Sequence, residues 1–264
     1  MNDCWGILRR MSPNYGYQRQ FPLTPTVKWL IIFTVSIWIV FQLIGEKFFG
    51  LPIERFFALS PGKVIEDFFI WQVLSYMFLH TSSVTHILLN MLSLWFIGSE
   101  LEDRWGRKFF LFYYISSGVG AALFYCFGVA IYTSFTGNRV GLVIPVEGAS
   151  GAIFGLLLAY GLLFGEKTLS FMMLFPMKAK YFILILAGVE VVSLLGSGVA
   201  GGEVANLAHL GGFASGYLTL VGYTRWQRFQ WGKKPKKKAR NLRLVVDNEN
   251  QDGKKTGEDP KYWN

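Results

Sequence analysis

The chain of 264 residues is 52% hydrophobic and 17% aromatic, and only 16% of its residues are charged. This composition is too apolar for an ordinary soluble domain and predicts a polytopic membrane protein. The net charge of +9 does not indicate a nucleic-acid partner, because the lysines and arginines cluster beside apolar runs, as membrane orientation requires. Cys4 in a polar tail and Cys126 in an apolar run predict neither a disulfide framework nor a metal-binding cysteine motif.

The chain begins with a polar segment, residues 1–26, that lacks the apolar run and the cleavage site of a secretory signal, so it is predicted to be a cytosolic tail. The first apolar run, Val27–Gly45, is long enough to cross about 30 Å of hydrocarbon, which takes roughly 20 helical residues. From Glu46 to His80, aromatic residues alternate with charges and prolines. This pattern predicts an interfacial loop of short amphipathic segments after the first span, and a loop that only fills space is the alternative.

Five further apolar runs predict an all-α bundle of six transmembrane helices, residues 27–224, followed by a basic, disordered tail, residues 225–264. Most of the 26 lysines and arginines lie in the two tails and in the links after spans two and four, so both termini are predicted to be cytosolic. Anionic lipid is one predicted partner of the basic tail, and a simple stop-transfer block is the alternative. The five runs are Ser82–Leu101, Phe109–Tyr132, Gly148–Gly165, Tyr181–Leu195 and Val204–Tyr223.

Four polar residues are predicted to lie at one depth in the outer leaflet. His86 and Asn90 fall in the first turns of span two, Ser150 in the first turn of span four and His209 near the start of span six. Inside a bilayer such groups need partners or a water-filled cavity, so their clustering predicts a functional site. Taken singly, an intramembrane serine or asparagine is more often a helix-packing residue.

Small residues on spans four and six predict that these two helices pack closely. Two small-xxx-small faces allow backbones to approach, and they would bring an imidazole to a serine hydroxyl. An additional glycine before the serine predicts a backbone turn that exposes it. The glycines are Gly148, Gly151 and Gly155 on span four, and Gly212 and Gly216 on span six.

This arrangement predicts a Ser-His dyad in which Ser150 is the nucleophile and His209 the base, since a serine hydroxyl is weak until a nearby base takes its proton. The helix start at Ser150 offers unpaired N–H groups and a positive dipole end to a developing oxyanion. His86 and Asn90, four residues apart, share one helix face and supply further hydrogen-bond donors for that oxyanion.

Neither a metal nor a cofactor is expected, because the two histidines have no third ligand of the right kind at their depth. No carboxylate has a spacing that demands contact with His209. Glu147 adjoins the serine, and Glu203 lies near the start of span six. Glu190, in the apolar fifth span, is left unexplained, and pairing with a polar neighbour or a role toward substrate are both open.

The sequence resembles the rhomboid family of intramembrane serine proteases over spans two to six. The shared motifs are His-x-x-x-Asn at 86–90, Gly-x-Ser-Gly at 148–151 and Ala-His-x-x-Gly-x-x-x-Gly at 208–216. The resemblance implies hydrolysis of peptide bonds in or near transmembrane segments of membrane proteins. It also implies Ser150 as the acylated nucleophile, His209 as the base, and His86, Asn90 and the Ser150 N–H as oxyanion donors.

The resemblance implies roles for several supporting residues. Glu102 and Arg104, with Gly106, look like the family's acidic-basic-glycine cluster, a structural lock at the cytosolic end of span two. Phe154 stands where some members have a tyrosine under the histidine, and its ring can still stack on the imidazole. Gln72 follows Trp71 where the family often has an arginine, so that arginine's role does not carry over.

Two other functions remain as alternatives. A catalytically inactive rhomboid-like protein that binds membrane clients would be expected to lack Ser150 or His209, and both are present. A transporter or channel would need polar residues along a path across the membrane, whereas here they lie at one depth. The predicted location is a bacterial inner membrane, and the predicted partners are transmembrane protein substrates and lipid.

Overall fold

The computed structural model describes residues 23–171, 175–197 and 205–233. This part of the chain is mostly helical, as the sequence predicts. Its elements in chain order are α1 (Pro25–Phe49), α2 (Ile53–Phe57), α3 (Pro61–Ile65), α4 (Gln72–Ser75), α5 (Val84–Trp105), α6 (Arg107–Thr136), α7 (Val140–Val143), α8 (Ser150–Phe164), β1 (Thr168–Phe171), β2 (Phe175–Lys178), α9 (Ala179–Ser197) and α10 (Ala205–Lys233).

Each of the six predicted spans overlaps a helix of the described residues. Among the described residues, α1, α5, α6 and α9 are long and apolar enough to cross a membrane. Helix α8 is apolar but has only 15 residues, which corresponds to about 22 Å at 1.5 Å per residue. Four candidate spans are therefore established by length and composition, and the count of six stays a prediction.

The helical core is formed by α6, α8 and α10, which pack against one another. Gly155 of α8 lies where the three meet. A Cβ atom on Gly155 would be 2.5 Å from the Cβ of Ser117 on α6 and 3.3 Å from the carbonyl oxygen of Gly212 on α10. The small residues predicted to allow close packing thus lie at the helix contacts.

The link between α8 and α9 departs from the prediction of an all-helical domain. Strands β1 and β2 pair antiparallel, with Thr168 opposite Lys178 and Ser170 opposite Pro176. A proline lacks the N–H that an inner strand needs, but each strand of a two-stranded hairpin is an edge, so Pro176 is tolerated there. The all-α prediction is therefore wrong for this link, which contains a short β-hairpin.

Helix α10 continues to Lys233, past the predicted start of the C-terminal tail at Arg225. The segment from Arg225 to Gln230 contains no glycine or proline, so nothing in it opposes continuation of the helix. The rest of the predicted tail, residues 234–264, and most of the N-terminal tail, residues 1–22, lie outside the described residues, as does Glu203.

The loop between α1 and α5 contains the short helices α2, α3 and α4. Gln72 is fully buried there. Its side-chain oxygen accepts a hydrogen bond from the backbone N–H of Ser60 at 3.0 Å, and its side-chain nitrogen donates to the carbonyl oxygen of Phe56 at 3.2 Å. This glutamine, in α4, therefore links α2 to the start of α3. The sequence did not predict this structural role.

Glu102, near the end of α5, caps the start of α1. Its buried carboxylate accepts hydrogen bonds from the Thr24 hydroxyl at 2.5 Å and from the backbone N–H groups of Thr26 at 3.1 Å and Val27 at 3.0 Å. An acidic group is favoured here because the first N–H groups of a helix lack partners. The guanidinium that approaches Glu102 belongs to Arg107, at 4.0 Å. Arg104, predicted in this cluster, is partly buried nearby on α5.

Candidate active site

The serine at the centre of the candidate site opens α8 directly after a tight turn. Gly148 has φ +130°, a conformation that side chains with a Cβ rarely adopt. Its N–H donates to the carbonyl oxygen of Tyr76 at 3.0 Å. A Cβ atom on Gly148 would lie 3.1 Å from both Cε1 and Nε2 of His86. Glycine is thus required by backbone conformation and by the space that His86 occupies beside Ser150.

His209 of α10 contacts Ser150 directly, with Nε2 2.8 Å from the serine Oγ. One turn further on, a Cβ atom on Gly212 would be 2.1 Å from the carbonyl oxygen of Gly151. A second turn on, a Cβ atom on Gly216 would be 2.9 Å from the Cα of Gly155. The backbones of α8 and α10 therefore touch through glycines, and this contact brings the imidazole to the hydroxyl.

The imidazole ring of His209 is supported on one face by Phe154. The two rings are stacked, with centroids 4.2 Å apart and planes at 8°. Phe213 packs edge-on against Phe154, with centroids 5.1 Å apart and planes at 84°. The phenyl ring thus fixes the plane of the imidazole without offering it a hydrogen bond.

A carboxylate approaches the other ring nitrogen of His209. Oε1 of Glu190 on α9 lies 3.0 Å from Nδ1 of His209, and the two side chains are 12% and 17% exposed. The sequence left Glu190 unexplained and predicted no acid at His209. The available signal was its position as the single acidic residue in the apolar sequence of α9, but residue spacing could not identify its neighbour.

The two predicted oxyanion donors lie on α5, in different environments. The partly buried ring of His86 lies beside Gly148, and its Nδ1 is 3.0 Å from the Thr81 hydroxyl. The buried amide nitrogen of Asn90 donates to the carbonyl oxygen of His86 at 2.9 Å. An amide nitrogen carries two hydrogens, so this hydrogen bond occupies one of the two that Asn90 can donate.

A polar network lies behind the serine turn. The N–H of the fully buried His80 donates to Oε1 of Gln42 at 2.7 Å, and Nε2 of Gln42 donates to Oε2 of Glu147 at 3.0 Å. The N–H of Ala149 points to Nε2 of His80 at 3.4 Å. Burial lowers the pKa of His80 to about 3, with a smaller contribution from His86. A neutral His80 can therefore accept this hydrogen bond next to Ser150.

Glu147 should make stability depend on pH. Burial, followed by the nearby charge of Glu54, raises its pKa from 4.5 to about 7. The folded protein therefore binds the extra proton between these values, and its stability falls as pH rises through this window, by on the order of 3 kcal/mol in all. We expect Glu147→Gln, which keeps an oxygen acceptor for Gln42, to lose less thermal stability between pH 5 and 8 than the wild type. Thermal unfolding in detergent at several pH values measures this, and parallel curves for the two proteins would contradict it.

Within the described residues, no group of three or more His, Cys, Asp or Glu side chains is arranged to hold a metal ion. The groups that do converge are a serine hydroxyl, an imidazole and a carboxylate from three different helices, α8, α10 and α9. Such a set can transfer a proton from an attacking hydroxyl without the help of a metal.

Comparison with known proteins shows what the chain is similar to. Residues 68–226, more than half of the chain, match the Rhomboid domain family. Over 184 residues, or 69% of this chain and 41% of the relative, it is 34% identical to RHOMBOID-like protein 1 of Arabidopsis thaliana. It is 33% identical to RHOMBOID-like protein 2 of the same plant over 180 residues, 68% of this chain and 50% of the relative.

A bacterial protein is also similar. The chain is 29% identical to the Rhomboid protease GluP of Bacillus subtilis (strain 168) over 170 residues, which are 62% of this chain and 28% of GluP. In these three comparisons the match covers half or less of the relative's length. The family match includes Ser150, His209, His86 and Asn90.

Proposed function

This chain belongs to the rhomboid family, and from that premise we propose that it is an intramembrane serine endopeptidase. It hydrolyses peptide bonds in or near the transmembrane segments of other membrane proteins. The observation that carries the proposal is the 2.8 Å contact between the Ser150 hydroxyl and Nε2 of His209. A base at hydrogen-bond distance is what turns a serine hydroxyl into a nucleophile.

In the proposed reaction, Oγ of Ser150 attacks the carbonyl carbon of the scissile bond while Nε2 of His209 takes the hydroxyl proton. The tetrahedral intermediate collapses, the C–N bond breaks, and His209 returns the proton to the leaving amine. An acyl ester on Ser150 remains. Water then attacks this ester and gives its proton to His209. The C–O bond to the serine breaks, His209 returns the proton to Oγ of Ser150, and the acid product leaves.

Three donors are proposed to stabilise the oxyanion. The N–H of Ser150 lies in the first turn of α8, where backbone N–H groups lack helical partners and the helix dipole favours negative charge. If the Thr81 hydroxyl donates to Nδ1 of His86 across their 3.0 Å contact, Nε2 of His86 carries the hydrogen and faces the serine turn. The remaining N–H of Asn90 is the third donor.

The proposed topology has six spans, both termini on the cytosolic side and the catalytic pair in the outer leaflet of a bacterial inner membrane. Substrates are single-span or multi-span membrane proteins whose backbone unwinds near small residues, since a helical peptide bond cannot reach Ser150. Lipid surrounds the helices, and the basic tail beyond Lys233 binds anionic headgroups. No cofactor and no nucleic acid take part.

A serine-directed probe tests the proposal. We expect a fluorophosphonate to label the purified wild-type protein in detergent, with the mass of the adduct on a peptide containing Ser150. His209→Ala should reduce the labelling rate by at least about 100-fold, because the hydroxyl loses its base. Ser134→Ala is the control, since that exposed hydroxyl, near the C-terminal end of α6, donates only to the carbonyl oxygen of Ala130 in its own helix. Folded wild-type protein that takes no label would favour an inactive, client-binding member of the family.

A further inference from the structure

Glu190 is an acid in a helix that otherwise offers only apolar and small polar side chains after its first turn. Its neighbours Val189, Val191 and Val192 are exposed on the outer surface of α9, at 54%, 43% and 70%. The Glu190 side chain points the other way and is only 12% exposed. A carboxylate in a membrane-spanning segment is costly and usually has a partner in the bundle interior.

The partner of Glu190 is the imidazole of His209. Oε1 lies 3.0 Å from Nδ1, and the opposite ring nitrogen, Nε2, lies 2.8 Å from the Ser150 hydroxyl. Oε2 is buried and has no hydrogen-bond partner among the described residues. The carboxylate, the imidazole and the hydroxyl therefore follow one another across the contact between α9, α10 and α8.

We propose that Glu190 is a positioning residue that acts through His209, so that the proposed reaction runs on a Ser-His-Glu arrangement. The carboxylate favours the imidazole tautomer with hydrogen on Nδ1, which leaves the lone pair of Nε2 facing Ser150. When Nε2 takes the serine proton, the negative charge of Glu190 stabilises the imidazolium that forms. The proton stays on His209 until the leaving amine takes it, and Glu190 remains ionised throughout.

The geometry of the contact defines how Glu190 acts. Nδ1 and Oε1 are within contact distance, but they are not aligned as a hydrogen bond. In the resting structure the carboxylate therefore acts on the dipole of a neutral imidazole. The interaction becomes one between two charges when the imidazolium forms, and in a site of low polarity it is then much stronger than in water. The effect should depend on the charge of residue 190 more than on the shape of its side chain.

Charge and shape can be separated by substitution. Glu190→Gln keeps the length and volume of the side chain and removes its charge, whereas Glu190→Asp keeps the charge and shortens the side chain by one methylene. A residue that only fills space between α9 and α10 would tolerate glutamine better than aspartate. A residue that stabilises the imidazolium would tolerate aspartate better than glutamine.

The test measures kcat and KM for a transmembrane substrate in detergent for the wild type and both variants, with unfolding temperatures. We expect Glu190→Gln to lower kcat roughly 10- to 100-fold with KM within about twofold, since the charge acts when the imidazolium forms. Glu190→Asp should keep a kcat at least about fivefold above that of Glu190→Gln. Any other order of the two variants overturns the proposal.

One further variant serves as a control. Val192→Ala, on the exposed face of the same helix, should keep wild-type kcat and KM. If Glu190→Gln does not fold, Glu190→Asn and Glu190→Asp repeat the contrast of charge at equal length, and equal kcat values for them overturn the proposal.

The inference rests on the proposed function, but the failure of one can be distinguished from the failure of the other. An active wild type with an equally active glutamine variant would exclude only the role of Glu190. An inactive, unlabelled wild type would exclude the protease activity itself.

Discussion

Replacement of Ser150 by alanine is expected to lower cleavage of a transmembrane substrate by at least about a thousandfold, to the background rate. The Ser150 hydroxyl is the group that His209 contacts at 2.8 Å, and without it no acyl ester can form. Since the substitution removes one atom from a partly buried side chain, the unfolding temperature should change by only a few degrees.

The measurement is cleavage of a single-span substrate in detergent and in membranes, read as released fragments by mass spectrometry. Ser134→Ala is the matched control, because it removes an exposed hydroxyl from the same chain and should cleave like the wild type. Comparable cleavage by wild type and Ser150→Ala would remove the serine mechanism. Co-expression with candidate membrane proteins, again comparing these two forms, would identify natural substrates.

Replacement of Gly212 by alanine should have the next largest effect, although it adds a single methyl group. The added Cβ would lie 2.1 Å from the carbonyl oxygen of Gly151 and 3.2 Å from Cβ of Phe154. The first of these neighbours is backbone, so α8 and α10 must move apart. Because the movement separates Ser150 from His209, and a misplacement of about 1 Å can cost about 100-fold in rate, we expect a loss of at least about 100-fold.

The same substitution should lower stability by roughly 1–3 kcal/mol, as overpacking of a close interface does. Gly222→Ala is the control, since it lies on the same helix and its added Cβ would meet nothing within 4 Å. That variant should keep full activity and gain up to about 1 kcal/mol from better helix propensity. Cleavage assays and thermal unfolding of both variants in detergent provide the comparison. Wild-type activity in Gly212→Ala would show that the glycine contact does not set the distance between serine and histidine.

Much of the site could be predicted because a bilayer restricts how a chain can fold. Apolar runs must become helices that cross it, so residue position along each run approximates depth. Ser150 and His209 could therefore be placed together before any contact was known, and the glycines at 151 and 212 explained how two helices come close enough. In the structure, Oγ of Ser150 and Nε2 of His209 are 2.8 Å apart. The experiments above test their catalytic roles.

Other parts could not be predicted, because depth does not specify which side of a helix faces which neighbour. Glu190 lies on α9, which has apolar residues on every face, so the sequence does not show which face is buried. Only the packing of α9 against α8 and α10 shows that the carboxylate reaches His209. The sequence showed that Gln72 stands where the family often has an arginine, but it did not indicate the hydrogen bonds that the buried side chain makes. The hairpin of β1 and β2 depends on pairing between two short strands, which neither strand encodes alone.

The sequence by itself determined the class of protein, the approximate spans and the serine and histidine on which the proposed chemistry depends. Composition, apolar runs and motif spacing are local properties, and in a membrane they define the depth of each residue along the bilayer normal. Only the tertiary structure decided the rotations of the helices about their axes. Those rotations bring Glu190 to the second nitrogen of His209 and Glu102 to the first turn of α1. They result from the sum of many side-chain contacts, so no single stretch of sequence contains them.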